Sequence, residues 1–269
     1  MASAQRRGSP TGGVRFRAFA RSPRDLDLDF RGASRPQLVT AILRRCIVEP
    51  PEFAADPDAV WDLTVGERTA GLLRIMALTG PSEVPLEPHC RADDCGRRME
   101  TSLAVDELLA AHREAAERDV LSVAVDGGEL RVRRPTGRDQ LAWQADPPAD
   151  PETARAELLR TLLVDPPSGG GEAALGEAEV RAVGEAMEAF DPLVNVVLTV
   201  RCPYCDRSSR YEVDMQAEVL AMLHAVQARA IEDVHRLALG YHWTEDEVLA
   251  LPPWRRARYL TLVERDVEV

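Results

Sequence analysis

The chain has 269 residues and a formal net charge of -12, long enough to bury a core as one domain or two and too acidic for non-specific binding to nucleic acid. Every basic residue is Arg, with no Lys, which excludes a phosphate-binding loop completed by Lys. Aromatic residues are scarce at 5% while Leu, Val and Ala dominate the apolar content, a balance that favours helices, and no apolar run reaches the ~18 residues expected of a membrane span.

Residues 1–35 are rich in Arg, Gly, Ser and Pro and are expected to form a disordered basic tail, or an arm that docks on an acidic partner. No apolar stretch follows Arg6-Arg7, so no export signal is expected. A stripe of Leu38, Val39, Ile42, Leu43 and Cys46 predicts a helix over 36–48, with Cys46 in its core face. Thr64 and Glu67 have the spacing of a capping box. They precede a helix carrying Leu72, Leu73, Met76 and Leu78, which Gly80-Pro81 should stop.

Residues 84–90 read as a strand entering a cysteine pair, and 99–103 as a strand leaving it, followed by a helix over 105–116. Alternation over 120–125 and again at Leu130 and Val132, around Asp126-Gly127-Gly128, predicts a β-hairpin. Helices are expected over 138–144, 151–164 and 177–190, with a loop over 166–171. A β-branched strand over 193–200 leads to the second cysteine pair. Val219, Leu223, Val226, Ala230, Val234 and Leu237 recur at steps of four and three, predicting a long helix over 214–239 ended by Gly240. Thr244 and Glu247 cap a short helix, and Pro253 opens the last one.

The chemistry lies in the cysteines. In a reducing, cytoplasmic setting, paired cysteines point to metal rather than to disulfides. Cys90 and Cys95 form one pair, Cys202 and Cys205 another, and each is followed by a strand with an acidic residue and then a helix. Two such knuckles can present four thiolates to one ion, so one structural Zn2+ per chain is expected on Cys90, Cys95, Cys202 and Cys205. His89 could take the place of Cys90. Two other readings stay open: reduced cysteines without metal, and a redox pair at Cys202 and Cys205. Redox pairs sit at a helix N-terminus, whereas a strand follows Cys205.

No catalytic constellation emerges. There is no Gly-x-Ser-x-Gly elbow, and Glu232-x-x-His235 lacks the second copy that a di-iron site requires. Four cysteines would close a zinc site to substrate, so no enzyme is expected. Arg91, Arg97, Arg98, Arg207 and Arg210 surround the cysteines, but no interleaved aromatics offer stacking to nucleic acid.

Five stretches, taken in order, resemble the baseplate hub assembly chaperone-like family of T-even phages and its relatives in phage-tail-like contractile injection systems. They are Val65-Gly66-Glu67-Arg68 with Leu72-Leu73 and Gly80; Cys95-Gly96 with Glu100; Arg131-Val132-Arg133-Arg134-Pro135-Thr136-Gly137 with Asp139; Cys202-Pro203-Tyr204-Cys205; and Tyr241-His242-Trp243 with Glu247-Val248-Leu249-Ala250-Leu251, Arg255-Arg256 and Tyr259-Leu260. The resemblance spans residues 60–265, and the first cysteine pair is wider than the family's pattern. It implies a non-catalytic hub component or assembly chaperone whose partners are hub, spike or tape-measure proteins, in the cytoplasm or built into the particle. Trp243, Trp254, Arg255, Arg256 and Tyr259 have the residue types of interface anchors, although buried aromatics also simply close cores. The competing reading is a zinc-ribbon regulator of nucleic acid or polymerase.

The expected fold is α+β and mainly helical, with a two-knuckle zinc-ribbon-like β element and an inserted β-hairpin. The expected segments are a tail (1–35), a helical region (36–83), a split ribbon with its insertion (84–213) and a C-terminal helical docking segment (214–269).

Overall fold

The computed structural model describes residues 14–50, 53, 56, 58–125, 128–147, 150–164, 175–194 and 196–267. Helices dominate, and the strands pair only as small antiparallel two-stranded sheets. In chain order the elements are β1 (Arg15–Phe16), α1 (Pro23–Leu26), α2 (Arg35–Cys46), β2 (Ile47–Glu49), α3 (Ala59–Asp62), α4 (Val65–Thr79), β3 (Glu83–Leu86), β4 (Thr101–Ala104), α5 (Val105–Ala115), β5 (Val120–Val125) and β6 (Gly128–Arg133). There follow α6 (Gly137–Ala145), α7 (Pro151–Leu162), α8 (Glu177–Phe190), β7 (Val196–Arg201), β8 (Ser208–Val213), α9 (Met215–Tyr241), α10 (Glu245–Ala250) and α11 (Pro253–Val267).

Helix α4 is the centre of the main core. Thr64 caps it as expected: its hydroxyl accepts from the Glu67 amide at 3.2 Å, and the Glu67 carboxylate accepts from the Thr64 amide at 2.8 Å. Most of its residues are buried, from Val65 to Met76, because α2, α5 and α9 pack around it. Small residues permit that approach. A Cβ on Gly71 would lie 2.7 Å from Leu43 Cδ2. Leu78, expected on the apolar face, is exposed. Val219, Leu223, Ala230 and Leu237 of α9 are buried, and Val226 and Val234 pack against the same core, so the periodic stripe marks the face that is covered.

Arg68 lies inside this core, and among the described residues no carboxylate forms an ion pair with it. It donates to the carbonyls of Val60 and Pro36 and to the Thr40 hydroxyl at 2.8–3.0 Å, and stacks on Trp61. Burial lowers its pKa to about 10. The carbonyl cage joins the ends of α2 and α3, and Gly137 at the start of α6 leaves room for the guanidinium.

The N-terminal segment corrects the expectation of a disordered tail over 1–35. Residues 14–35 fold: β1 pairs with β2, and Phe19 and Ala20 enter the core. Asp25 is fully buried, taking two bonds from Arg17 at 2.7 and 2.8 Å and others from the Arg21 and Ser22 amides. The Gln227 amide of α9 meets the carbonyls of Asp25, Leu26 and Leu28 at 2.9–3.1 Å. Composition misleads here because apolar residues interleave with the arginines, and the one carboxylate that is fully buried, Asp25, is met by Arg17 and by two backbone amides. Residues 1–13 lie outside the described residues. The same core draws on residues from Phe19 to Leu249, so it crosses the segment boundaries expected at 35, 83 and 213.

Strands β5 and β6 pair antiparallel from Val120↔Arg133 to Val125↔Gly128; Asp126 and Gly127 between them lie outside the described residues, as does the loop expected over 166–171. A second apolar cluster forms where α7 and α8 cover this hairpin, with Leu121, Val132, Leu162, Val183, Met187 and Phe190 buried.

Gly240 does not end the long helix. Helix α9 runs through it to Tyr241, and His242 takes the left-handed conformation at φ 57. A Cβ on Gly240 would come 2.9 Å from Val263 Cγ2 of α11, so the residue serves helix packing rather than termination.

Candidate metal centre

Each cysteine pair sits at the tip of a two-stranded ladder. Strands β3 and β4 pair from Glu83↔Ala104 to Leu86↔Thr101, and the His89↔Arg98 bridge extends them to the first knuckle. Strands β7 and β8 pair from Val196↔Val213 to Arg201↔Ser208 and lead directly into the second. The two tips close alike. The Cys90 amide donates to the Arg97 carbonyl at 2.8 Å, and the Cys202 amide to the Arg207 carbonyl at 2.9 Å. After the second cysteine of each pair the chain turns through positive φ, at Gly96 (59°) and Asp206 (67°). The internal echo in the sequence is therefore an echo of backbone geometry.

The tips face each other. Cys90 Sγ lies 3.6 Å from Cys205 Sγ, and Cys95 Sγ lies 3.8 Å from Cys202 Sγ. All four sulfurs lie within 4.8 Å of one another, and among the described residues no other group of His, Cys, Asp or Glu meets this criterion. Four thiolates at ~2.3 Å from a tetrahedral ion would have their sulfurs ~3.8 Å apart, close to the separations seen. The donor set and its spacing fit a metal ion. Cys90 belongs to the group, whereas the neighbouring His89 is exposed. Cys46 lies elsewhere, buried in α2, where burial pushes its thiol up to about 12.

Amides point at the sulfurs. The Ala92 amide is the largest influence on Cys90 and favours its thiolate, but burial and the other three thiols outweigh it and push its pKa up to about 12. Burial opposes ionisation of Cys202 too. There the amides of Tyr204 and Cys205 prevail, with help from Cys90 and Cys205, and bring it down to about 7. Four close thiols thus resist ionising together unless a cation offsets the charge.

Contacts between and around the knuckles were not legible in the cysteine spacing. Asp94, within the wider first pair, reaches the second knuckle and binds Arg207 at 2.9 Å. The Tyr211 hydroxyl donates to the His89 carbonyl at 2.8 Å. Arg91 lies over the Tyr211 ring and Arg97 over the Tyr204 ring. Arg98, Arg201 and Arg210 pair with Glu87, Asp206 and Glu188. The basic residues around the site are thus largely engaged.

The suspected interface residues separate into two groups. Trp243 and Tyr259 join Tyr241 in an aromatic cluster with centroids 4.7–5.5 Å apart, and Arg255 rests on Tyr259. Arg256 turns inward, its Nε 3.4 Å from Asp233 Oδ2. Trp254 alone of the five is a large exposed apolar side chain, at 73%.

Comparison of the chain with protein-family models, curated proteins and solved structures found no match. No described helix is long and apolar enough to cross a membrane.

Proposed function

We propose that the chain is a non-catalytic component or assembly chaperone of the baseplate hub in a contractile, phage-tail-like particle, held in shape by one structural zinc ion. The zinc half rests on the four converging sulfurs. Zinc suits four thiolates, and such a set leaves no coordination position for substrate. The ion would clamp the β3–β4 ladder to the β7–β8 ladder across a separation of more than a hundred residues, restraining what would otherwise be a long loop.

The setting rests on one observation: the five motif stretches occur in the family's order along the chain. Trp254 supports an interface, since an exposed Trp on a helix has the character of a binding anchor. The regulator reading is less well supported, because the arginines around the knuckles are mostly paired with carboxylates or stacked on tyrosines.

The test is affinity capture of the tagged chain from its native cell, with mass spectrometry of the soluble and sedimented particle fractions. Hub, spike or tape-measure proteins are expected in the eluate. Recovery with particles would mean a structural part, and recovery from the soluble fraction alone a chaperone. Capture of polymerase or nucleic acid without tail-like proteins would refute the setting. Trp254→Ala should reduce capture while leaving thermal stability within about 0.5 kcal/mol of the parent; full capture would remove Trp254 from the interface.

A further inference from the structure

A cleft of about 390 Å3 opens where the N-terminal segment folds over α9 and α11. Much of its wall is apolar, with Phe19, Val226, Ala230 and Leu260 contributing. Three arginines also line it, Arg21, Arg229 and Arg256, against one acidic residue, Asp233. That excess of positive charge stands out in a chain of net charge -12.

Arg256 is the most enclosed of the three. Its side chain is 13% exposed, and its Nη1 is buried without a hydrogen-bond partner among the described residues. Its only ion pair there is the 3.4 Å approach of Nε to Asp233, which leaves the other edge of the fork unused. Among the described residues, no hydrogen bond or ion pair engages the Arg21 guanidinium. Burial first, and repulsion from Arg256 second, hold Arg21 below the usual arginine pKa. Asp233 must serve both Arg256 and the more distant Arg229.

A buried donor without an acceptor is costly, and two arginines that repel each other are relieved by an anion placed between them. The guanidinium fork matches the paired oxygens of carboxylate and phosphate. We propose that this cleft binds one oxyanion, a carboxylate or phosphate group, carried on an apolar body. The oxyanion accepts from the guanidinium groups of Arg256 and Arg21, and the body lies on Val226, Ala230 and Leu260. A larger cavity of about 670 Å3 continues along α9 and α11, sharing Arg229, Asp233, Ala257 and Leu260. There Arg236 is paired with Glu264 at 2.6 Å and Glu232 adds a further carboxylate, so this end does not compete for the oxyanion.

Calorimetric titration of the full chain tests this, with phenyl phosphate and phenylacetate as probes and inorganic phosphate and benzyl alcohol as controls. Saturable binding of at least one probe is expected at millimolar concentration or below, tighter than either control. Preference for phenyl phosphate or for phenylacetate identifies which oxyanion the cleft favours. Arg21→Gln should weaken binding about tenfold, the scale of one charge-assisted hydrogen bond. Asp233→Asn, which removes the competing carboxylate, should tighten it. Arg256→Gln should abolish it, and Arg21→Gln keeps the test decisive if that variant fails to fold. Arg258→Gln, outside the cleft lining, should change nothing. Absence of saturable binding, unchanged affinity in Arg21→Gln, or equal weakening by Arg258→Gln would each overturn the site. Inorganic phosphate binding as tightly as phenyl phosphate would overturn the apolar half of the proposal.

Discussion

Cys90 and Cys202 hold equivalent places in the two knuckles yet differ in acidity: two amides face Cys202 and one faces Cys90, and the neighbouring thiols favour the Cys202 thiolate while opposing that of Cys90. Residues 203–204 supply a tight turn at the second knuckle, whereas the longer first loop spends its extra length on Asp94 and its bond to Arg207. The grouping of these four cysteines was legible in the sequence because two close pairs of cysteines suggest one shared site. The Asp94–Arg207 tie was not, because nothing local marks which carboxylate will reach across. If an ion completes this centre, Cys202→Ser should remove one of four ligands and expose the repulsion among the rest. Parent protein should carry one zinc per chain through gel filtration, and the variant should lose it. Zinc binding can supply on the order of 10 kcal/mol to an isolated finger, but the main core here is largely separate, so partial loss is expected. A loss of about 3 kcal/mol would lower the melting temperature by roughly 6–12 °C while most helical signal persists. A variant that retains zinc and melts with its parent would exclude the structural role.

The capped starts of α4 and α10 were legible and the end of α9 was not, for a reason of range. The caps at Thr64 and Thr244 depend on residues three positions away, and both form. Replacing Thr244 by Ala removes the bonds that its hydroxyl makes with the Glu247 amide at 3.3 Å and carboxylate at 2.9 Å. Denaturant unfolding should show a loss of about 1 kcal/mol; no change would mean that α10 contributes nothing to the cooperative unit. The role of Gly240 inside α9 depends instead on Val263, brought over by the chain's return through α10. Gly to Ala inside a helix normally stabilises by about 1 kcal/mol. Here the new Cβ would meet Val263 Cγ2 at 2.9 Å, and a β-branched side chain has little freedom to retreat. Gly240→Ala should therefore destabilise by about 1–2 kcal/mol. In a Val263→Ala background the sign should reverse, since the obstruction is gone. Equal effects in both backgrounds, read from a double-mutant cycle, would show that α11 does not press on α9 at this point.

At the scale of the whole molecule, segments that look independent in the sequence share a core, and polar residues fasten them at the seams. Gln227 ties α9 to the N-terminal segment, and Arg134 ties α5 to α8 by donating to the Ala115 and Phe190 carbonyls, both at 2.7 Å. Composition and periodicity report which faces are apolar, but not which distant carbonyl a buried arginine will meet. The Arg134 seam also contains two titrating groups, and they act in opposite directions. Asp191, fully buried with its carboxylate 3.8 Å from Arg134 Nε, is pushed up to about 6 by burial, with Arg134 opposing the shift and Glu67 adding to it. His112, also buried, is brought down to about 4 by burial and then by Arg134 and Arg74. A raised carboxylate is more readily protonated folded than unfolded, so Asp191 contributes stability below about 4 that is lost as pH rises to about 6. A lowered imidazole is neutral when folded, so His112 contributes stability above 6.5 that is lost as pH falls to about 4. Each effect amounts to about 1–3 kcal/mol after allowance for solvent, and over the shared window they nearly cancel. Asp25 and Asp139, both depressed, lose their contributions mainly below the ordinary 3.8, whereas Asp233, raised by burial, adds a fall in stability as pH rises above 3.8 that parent and variants share. Urea midpoints of the parent should therefore vary little between about pH 4 and 6 on account of this pair. Asp191→Asn should leave the His112 slope alone, so stability rises with pH, and His112→Gln should leave the Asp191 slope, so stability falls. Parallel slopes in the two variants would mean that these groups do not titrate against each other across the seam.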